Sequence, residues 1–97
     1  MERYKTRPGV ILTEIAGEYI LVAAKALSGI CPYVTQINES SAFLWEKMKK
    51  GASEEELIAA VMEEYDIDDP EEIRKAILSF IKQMEETGYL LNEEEII

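Results

Sequence analysis

Hydrophobic and polar positions alternate or form short apolar runs up to Asn38, and beyond it they follow a helical repeat. Two β-branched, apolar runs, Val10–Ile15 and Glu18–Ala23, are separated by the turn dipeptide Ala16-Gly17, which predicts a β-hairpin. A loop broken by glycine and proline follows, and residues 33–37 then predict a third short strand. The first part of the chain is therefore expected to form a three-stranded antiparallel meander.

Start and stop signals divide the rest of the chain into three helices. Asn38 is predicted to cap a first helix over residues 39–50, and Gly51 is predicted to end it. Ser53 followed by three glutamates forms a capping box for the second helix. The apolar stripe of that helix is expected to be Leu57, Ile58, Val61, Met62 and Tyr65.

The third helix is predicted to begin at Asp69 and Pro70, with Asp69 as its cap, and to run to about Thr87 before Gly88. On a helical wheel, four residues share one narrow stripe, which predicts the face turned to the core. They are Ile73, Ile77, Phe80 and Met84.

One flank of the same helix lies outside this stripe. Leu78 is on that flank beside Arg74 and Ile81, with Lys75 and Lys82 just beyond. One interpretation is a wide apolar face bordered by solvated basic residues. The other is the wall of an apolar groove with a positive rim, and the wheel alone does not choose between them.

Length and composition indicate one soluble domain. With 97 residues and 47% hydrophobic positions, the chain can build one core but not two. We expect the domain to cover residues 1–91, followed by a frayed acidic tail over residues 92–97. There is no uncharged apolar stretch of about 18 residues and no signal-peptide pattern at the start, which predicts a cytoplasmic protein without a membrane partner.

The residue types that carry most enzyme chemistry are scarce. The sequence contains no histidine, and its single cysteine, Cys31, has apolar neighbours and no base to activate it. The acidic clusters lack the spacing and the central glycine of a calcium loop, and no glycine-rich phosphate loop is present. We therefore expect no enzymatic activity, no metal and no cofactor.

The net charge of −10 is concentrated in the second half of the chain. Residues 1–50 carry 7 basic and 5 acidic side chains, whereas residues 51–97 carry 3 basic and 15 acidic ones. Such a surface repels phosphate backbones, so nucleic acid is not an expected partner.

The helical part also resembles a known family. Its marks are an aliphatic-Asn pair at Ile37-Asn38, a small residue, an aliphatic-Trp pair at Leu44-Trp45 and a helix-ending Gly51. The acidic pattern of residues 53–66 and the Pro8-Gly9-Val10 start of the hairpin also match. The chain resembles the PqqD-like family over about residues 8–91, although the loop of residues 25–32 is longer and more apolar than is usual there.

The resemblance implies an α+β, winged-helix-like fold, with the three-stranded meander followed by a three-helix bundle. It also implies a non-catalytic recognition domain for the leader segment of a ribosomally made precursor peptide. The leader would add to the third strand and lie against the third helix, and a separate modifying enzyme, often of the radical SAM type, would act on the peptide. The expected peptide-binding residues are Tyr33, Val34, Thr35, Gln36, Ile37, Arg74, Lys75, Leu78, Ile81 and Lys82.

Other functions stay open at this point. The second and third helices could form the helix-turn-helix of a nucleic-acid-binding winged helix, which the acidic charge opposes. A protein-interaction scaffold without leader binding fits the sequence as well. An exposed third strand can also pair between two copies, which would give a homodimer.

Overall fold

The main sheet is the predicted antiparallel meander. The computed structural model describes residues 3–27, 29–66 and 68–91. Strands β2 (Val10–Ile15), β3 (Glu18–Ala23) and β4 (Val34–Ile37) lie side by side in that order. The β2–β3 turn is formed by Ala16 and Gly17, which have φ angles of 52° and 83°, as a tight two-residue hairpin requires.

A second, small sheet joins distant parts of the chain and was not predicted. Strand β1 (Arg3–Thr6) pairs antiparallel with β5 (Ala52–Ser53) on one side and with β6 (Leu90–Leu91) on the other. These pairings fix the start of the chain against both the connection between two helices and the end of the last helix. A short 3-10 helix, Lys25–Leu27, lies in the β3–β4 loop.

The three predicted helices are α1 (Glu39–Met48), α2 (Glu54–Tyr65) and α3 (Pro70–Thr87). All three predicted caps are present, because the side chains of Asn38, Ser53 and Asp69 each accept a hydrogen bond from a backbone N–H three residues later. Helix α1 ends two residues before the predicted limit, and Gly51 follows with a φ of 92°.

The core lies between the main sheet and the helices. Trp45 is fully buried at its centre, where its ring meets Tyr89 edge to face with centroids 6.2 Å apart. The four residues of the predicted α3 stripe are all buried. The α2 stripe is narrower than predicted, because Leu57 and Ile58 are buried whereas Tyr65 is exposed.

The architecture is the predicted α+β fold. The predicted acidic tail of residues 92–97 lies outside the described residues. Among the described helices, none is both long and apolar enough to cross a membrane.

Candidate functional site

One edge of the main sheet is open at β4. Ala23 donates its backbone N–H to the carbonyl of Tyr33 at 2.8 Å, so these two residues form a hydrogen-bonded pair. Because such pairs alternate along antiparallel strands, the backbone groups of Thr35 and Ile37 also point toward β3. The N–H and C=O groups of Val34 and Gln36 point the other way, and no described residue pairs with them.

The inner face of β4 is held by Tyr89. The Tyr89 hydroxyl donates to the carbonyl oxygen of Pro32 at 2.9 Å and lies 2.5 Å from the Thr35 hydroxyl. Burial raises the pKa of Tyr89, an effect that the Thr35 hydrogen bond partly opposes. The β4 strand is thereby tied to the end of α3, while the Val34 and Tyr33 side chains are exposed.

A groove of about 570 Å³ begins where β4 ends. It lies between the start of α1, the end of α2 and one flank of α3, and its floor is apolar. On the α3 flank, Ala76 and Ser79 are short side chains, which leaves the space open. The lining residues are Asn38, Ser40, Ser41, Leu44, Val61, Tyr65, Glu72, Ile73, Ala76, Ile77, Ser79, Phe80 and Gln83.

One end of this groove is acidic. Glu72, in the first turn of α3, is part of the lining, and so is Tyr65, the last residue of α2. The pKa of Tyr65 is raised, first by burial and then by the negative charges of Glu39 and Glu64. Glu72 therefore lines the groove itself, and the charges of Glu39 and Glu64 act on Tyr65, another residue of the lining.

The predicted β4 residues lie at the open edge, but the predicted α3 residues do not line the groove. Leu78 is exposed, as the wheel predicted, and so are Lys75 and Lys82, yet all three lie outside the groove lining. The prediction that Ile81 is available to a ligand is wrong, because Ile81 is 2% exposed and belongs to the core.

Arg74 is also engaged within the fold. Its guanidinium forms ion pairs with Glu54 at 2.9 Å and Glu55 at 3.1 Å, at the start of α2, and lies 3.9 Å from Glu71. These carboxylates raise the pKa of Arg74, and the hydrogen bond to Glu55 is the largest cause. Arg74 therefore links α3 to α2, and its guanidinium already has carboxylate partners within the fold.

The groove lies on the opposite flank of α3, and one sequence signal points to it. Glu72, Ala76, Ser79 and Gln83 recur at helical spacing, so they form a stripe of small and polar side chains beside the core stripe. Small side chains on a packed helix leave room for another molecule. A wheel shows this stripe but cannot show that the start of α1 and the end of α2 line the same groove.

The family model of coenzyme PQQ synthesis protein D (PqqD) matches residues 9–90. The chain belongs to the PqqD family. No curated protein is similar enough in sequence to match it.

Two solved structures share the fold of this PqqD family member. One is described as lasso peptide synthetase B1 complexed with the leader peptide; it is 16% identical, with a TM-score of 0.71 over 92% of this chain and 98% of that chain. The other is described as TbiB1 in complex with the TbiA(beta) leader peptide; it is 17% identical, with a TM-score of 0.70 over 89% of this chain and 93% of that chain.

Proposed function

We propose that this protein binds the leader segment of a ribosomally made precursor peptide by strand addition at β4 and presents the peptide to a separate modifying enzyme. The observation that carries the proposal is the open edge of β4, where the backbone groups of Val34 and Gln36 point away from β3. The apolar groove begins at Asn38, the residue that follows β4. An unpaired edge is a template for a further strand. In this proposal residues 33–37 are the peptide-pairing segment.

The two parts of the site supply different contributions. Backbone hydrogen bonds to β4 fix the direction and register of the peptide, and each contributes about 0.5–1.5 kcal/mol. One apolar side chain buried in the groove floor adds about 1.5–3 kcal/mol and selects the sequence. The groove has room for such a side chain, and its floor includes Ile77 and Phe80.

Family membership and the shared fold support the same proposal, since two proteins with this fold are described as complexes with leader peptides. We propose a radical SAM enzyme as the modifying partner, on the basis of the family resemblance. We also propose a cytoplasmic location, because precursor peptides are made on ribosomes.

The protein itself acts without catalysis in this proposal. The sequence has no histidine to serve as a base. Burial raises the pKa of the Cys31 thiol, although the charge of Arg7 opposes the shift. A thiol with a raised pKa is mainly protonated at neutral pH and is a weak nucleophile.

A proline substitution at the open edge tests strand addition. Gln36→Pro removes an N–H that faces away from β3, so the β3–β4 ladder is kept while one hydrogen bond to an added strand is lost. The matched control is Gln36→Ala, which removes the side chain and keeps the N–H. Calorimetry would measure the binding of synthetic peptides taken from short open reading frames beside the gene.

We expect the native protein to bind one of these peptides with a Kd in the micromolar range. Gln36→Pro should bind the same peptide at least about ten-fold more weakly, and the Kd of Gln36→Ala should change less than about two-fold. Amide shifts in residues 33–37 should accompany binding. If Gln36→Pro folds and binds as the native protein does, strand addition at β4 is wrong. If no neighbouring peptide binds, a scaffold for a folded partner becomes the better function.

A further inference from the structure

The acidic end of the groove has no cation paired with it within the described chain. Glu39, Glu64 and Glu72 form no ion pair with any described residue. Glu72 is part of the groove lining. The charges of Glu39 and Glu64 raise the pKa of Tyr65, and Tyr65 is also part of the groove lining. A molecule that enters this end therefore meets carboxylates that no described basic side chain pairs with, although the first turns of α1 and α3 offset part of the charge of Glu39 and Glu72.

The basic residues nearest to this end have other contacts within the described chain or lie outside the lining. Arg74 is occupied by carboxylates at the start of α2. The ammonium of Lys47 lies 5.2 Å from the centroid of the Phe43 ring, which in turn contacts Tyr65 edge to face. Lys75 is exposed on the outer side of α3 and is not part of the lining.

We propose that the peptide segment bound here carries a lysine or arginine whose side chain lies at Glu72, in addition to the apolar residue that fills the groove floor. This inference rests on the proposed function and names the chemistry of its ligand. The charge complementarity supports a basic partner, because an acidic side chain at the same place would be repelled by Glu72, with Glu39 and Glu64 adding negative charge near Tyr65.

The geometry also fixes a spacing. From Glu72 to the middle of the floor at Ile77 and Phe80 is about six helical residues, or roughly 9 Å. An extended peptide covers this distance in about three residues. The basic residue should therefore lie about two to four positions from the apolar anchor, on the part of the peptide that passes Asn38 beyond the end of β4.

A display selection from random peptides tests this composition whatever the sequence of the leader. The immobilised native protein would be used to select from a library of random 12-residue peptides at 150 mM NaCl. We expect enriched peptides to combine one aromatic or branched aliphatic residue with Lys or Arg at a constant spacing. Basic residues scattered without a constant spacing would reflect only the net charge, and they would overturn the inference.

Two matched variants then locate the effect. Glu72→Gln removes the charge at the groove, and Glu85→Gln removes the same charge from the opposite flank of α3. We expect an enriched peptide to bind Glu72→Gln about two- to five-fold more weakly, as for a partly exposed ion pair, and to bind Glu85→Gln unchanged. Thermal unfolding of both variants would check that each is folded.

The outcomes separate this inference from the proposed function. The inference would be overturned, and leader binding left intact, if Glu72→Gln and Glu85→Gln lost the same peptide affinity. The same conclusion would follow if enriched peptides bound at β4 without a basic residue. A selection that enriches no peptide at β4 or the groove would overturn both.

Discussion

At the scale of single residues, Tyr89 connects the core to the open strand. Its ring packs on Trp45, and its hydroxyl bridges Pro32 and Thr35 while the residue is fully buried. A buried hydroxyl with both partners satisfied holds them in fixed positions, and its loss leaves polar groups without partners. One side chain from the far end of the chain therefore adds to the β3 ladder in holding β4 in place.

Replacing Tyr89 by phenylalanine tests this dependence. We expect Tyr89→Phe to lower the free energy of unfolding by about 1–2 kcal/mol, because the Pro32 carbonyl and the Thr35 hydroxyl lose a buried partner. Urea unfolding would measure the change. The control is Tyr33→Phe, since the Tyr33 side chain is exposed and its loss of a hydroxyl should change stability little. Equal stability of Tyr89→Phe and the native protein would contradict this role.

Gly88 stands next to Tyr89 and allows the close approach of the β3–β4 loop. It ends α3 with a φ of 86°, and a Cβ atom placed on it would collide with the carbonyl oxygen of Ile30. Gly17 has a similar φ of 83° but no atom within 4 Å of such a Cβ. The two glycines therefore separate backbone strain from steric contact.

We expect Gly17→Ala to lower stability by about 1 kcal/mol, the cost of a left-handed conformation for a residue with a Cβ. Gly88→Ala should cost at least about twice as much, because the Ile30 backbone must also move. Thermal and urea unfolding of the pair would measure the difference. If the two variants lost similar free energies of unfolding, the β3–β4 loop would be able to move away from a Cβ at residue 88 without destabilising the fold.

At the scale of elements, the caps and periods in the sequence predict most of the fold. Asn38, Ser53 and Asp69 are local signals, because a helix start is decided by hydrogen bonds between residues three apart. The β2–β3 hairpin is equally local. The small sheet was missed because β1 pairs with two-residue segments far along the chain, and so short a pairing leaves no periodic pattern.

The candidate site, like the fold, is only partly predictable from the sequence. The exposed strand edge at β4 follows from the meander that the sequence pattern predicts, and the resemblance to the family adds the expectation that a leader pairs with it. The α3 flank that lines the groove could not be predicted in this way, because a helical wheel gives angles about one helix axis and not the positions of neighbouring elements. Ile81 lies at the side of the apolar stripe, and the packing of the fold, which periodicity does not show, buries it.

Two substitutions on α3 decide which flank meets the peptide. Ala76→Glu places a charged side chain in the groove, and Leu78→Glu places the same side chain on the opposite, exposed flank. We expect Ala76→Glu to weaken peptide binding by about ten-fold or more, because a carboxylate then occupies the space of the apolar anchor. Leu78→Glu should change binding less than about two-fold.

Calorimetry with the same peptide would measure both variants, and circular dichroism would check that each keeps its helices. If Leu78→Glu instead weakened peptide binding and Ala76→Glu bound the peptide as the native protein does, the peptide would lie on the flank of α3 that carries Leu78, as the helical wheel suggested.

At the scale of the whole molecule, charge and the open edge act against each other. Every copy carries an unpaired β4 edge that can pair with another copy, and every copy carries a net charge of −10. Edge pairing over four residues forms few hydrogen bonds, whereas repulsion between like-charged molecules acts over about one Debye length. Whether two copies pair through β4 or are kept apart by their net charge should therefore depend on the salt concentration.

We expect a monomer at about 10 μM protein in 50 mM NaCl, where the Debye length exceeds 10 Å. Raising NaCl to about 500 mM screens the repulsion and should allow a weak homodimer, which analytical ultracentrifugation would detect. Because the dimer and the leader peptide would use the same edge, saturating peptide should return the protein to a monomer. Gln36→Pro should remain a monomer in high salt, whereas Gln36→Ala should dimerise. A dimer that persists in Gln36→Pro would instead use another surface, such as the outer edge of β2 with its exposed Ile11 and Ile15, and would not compete with the peptide.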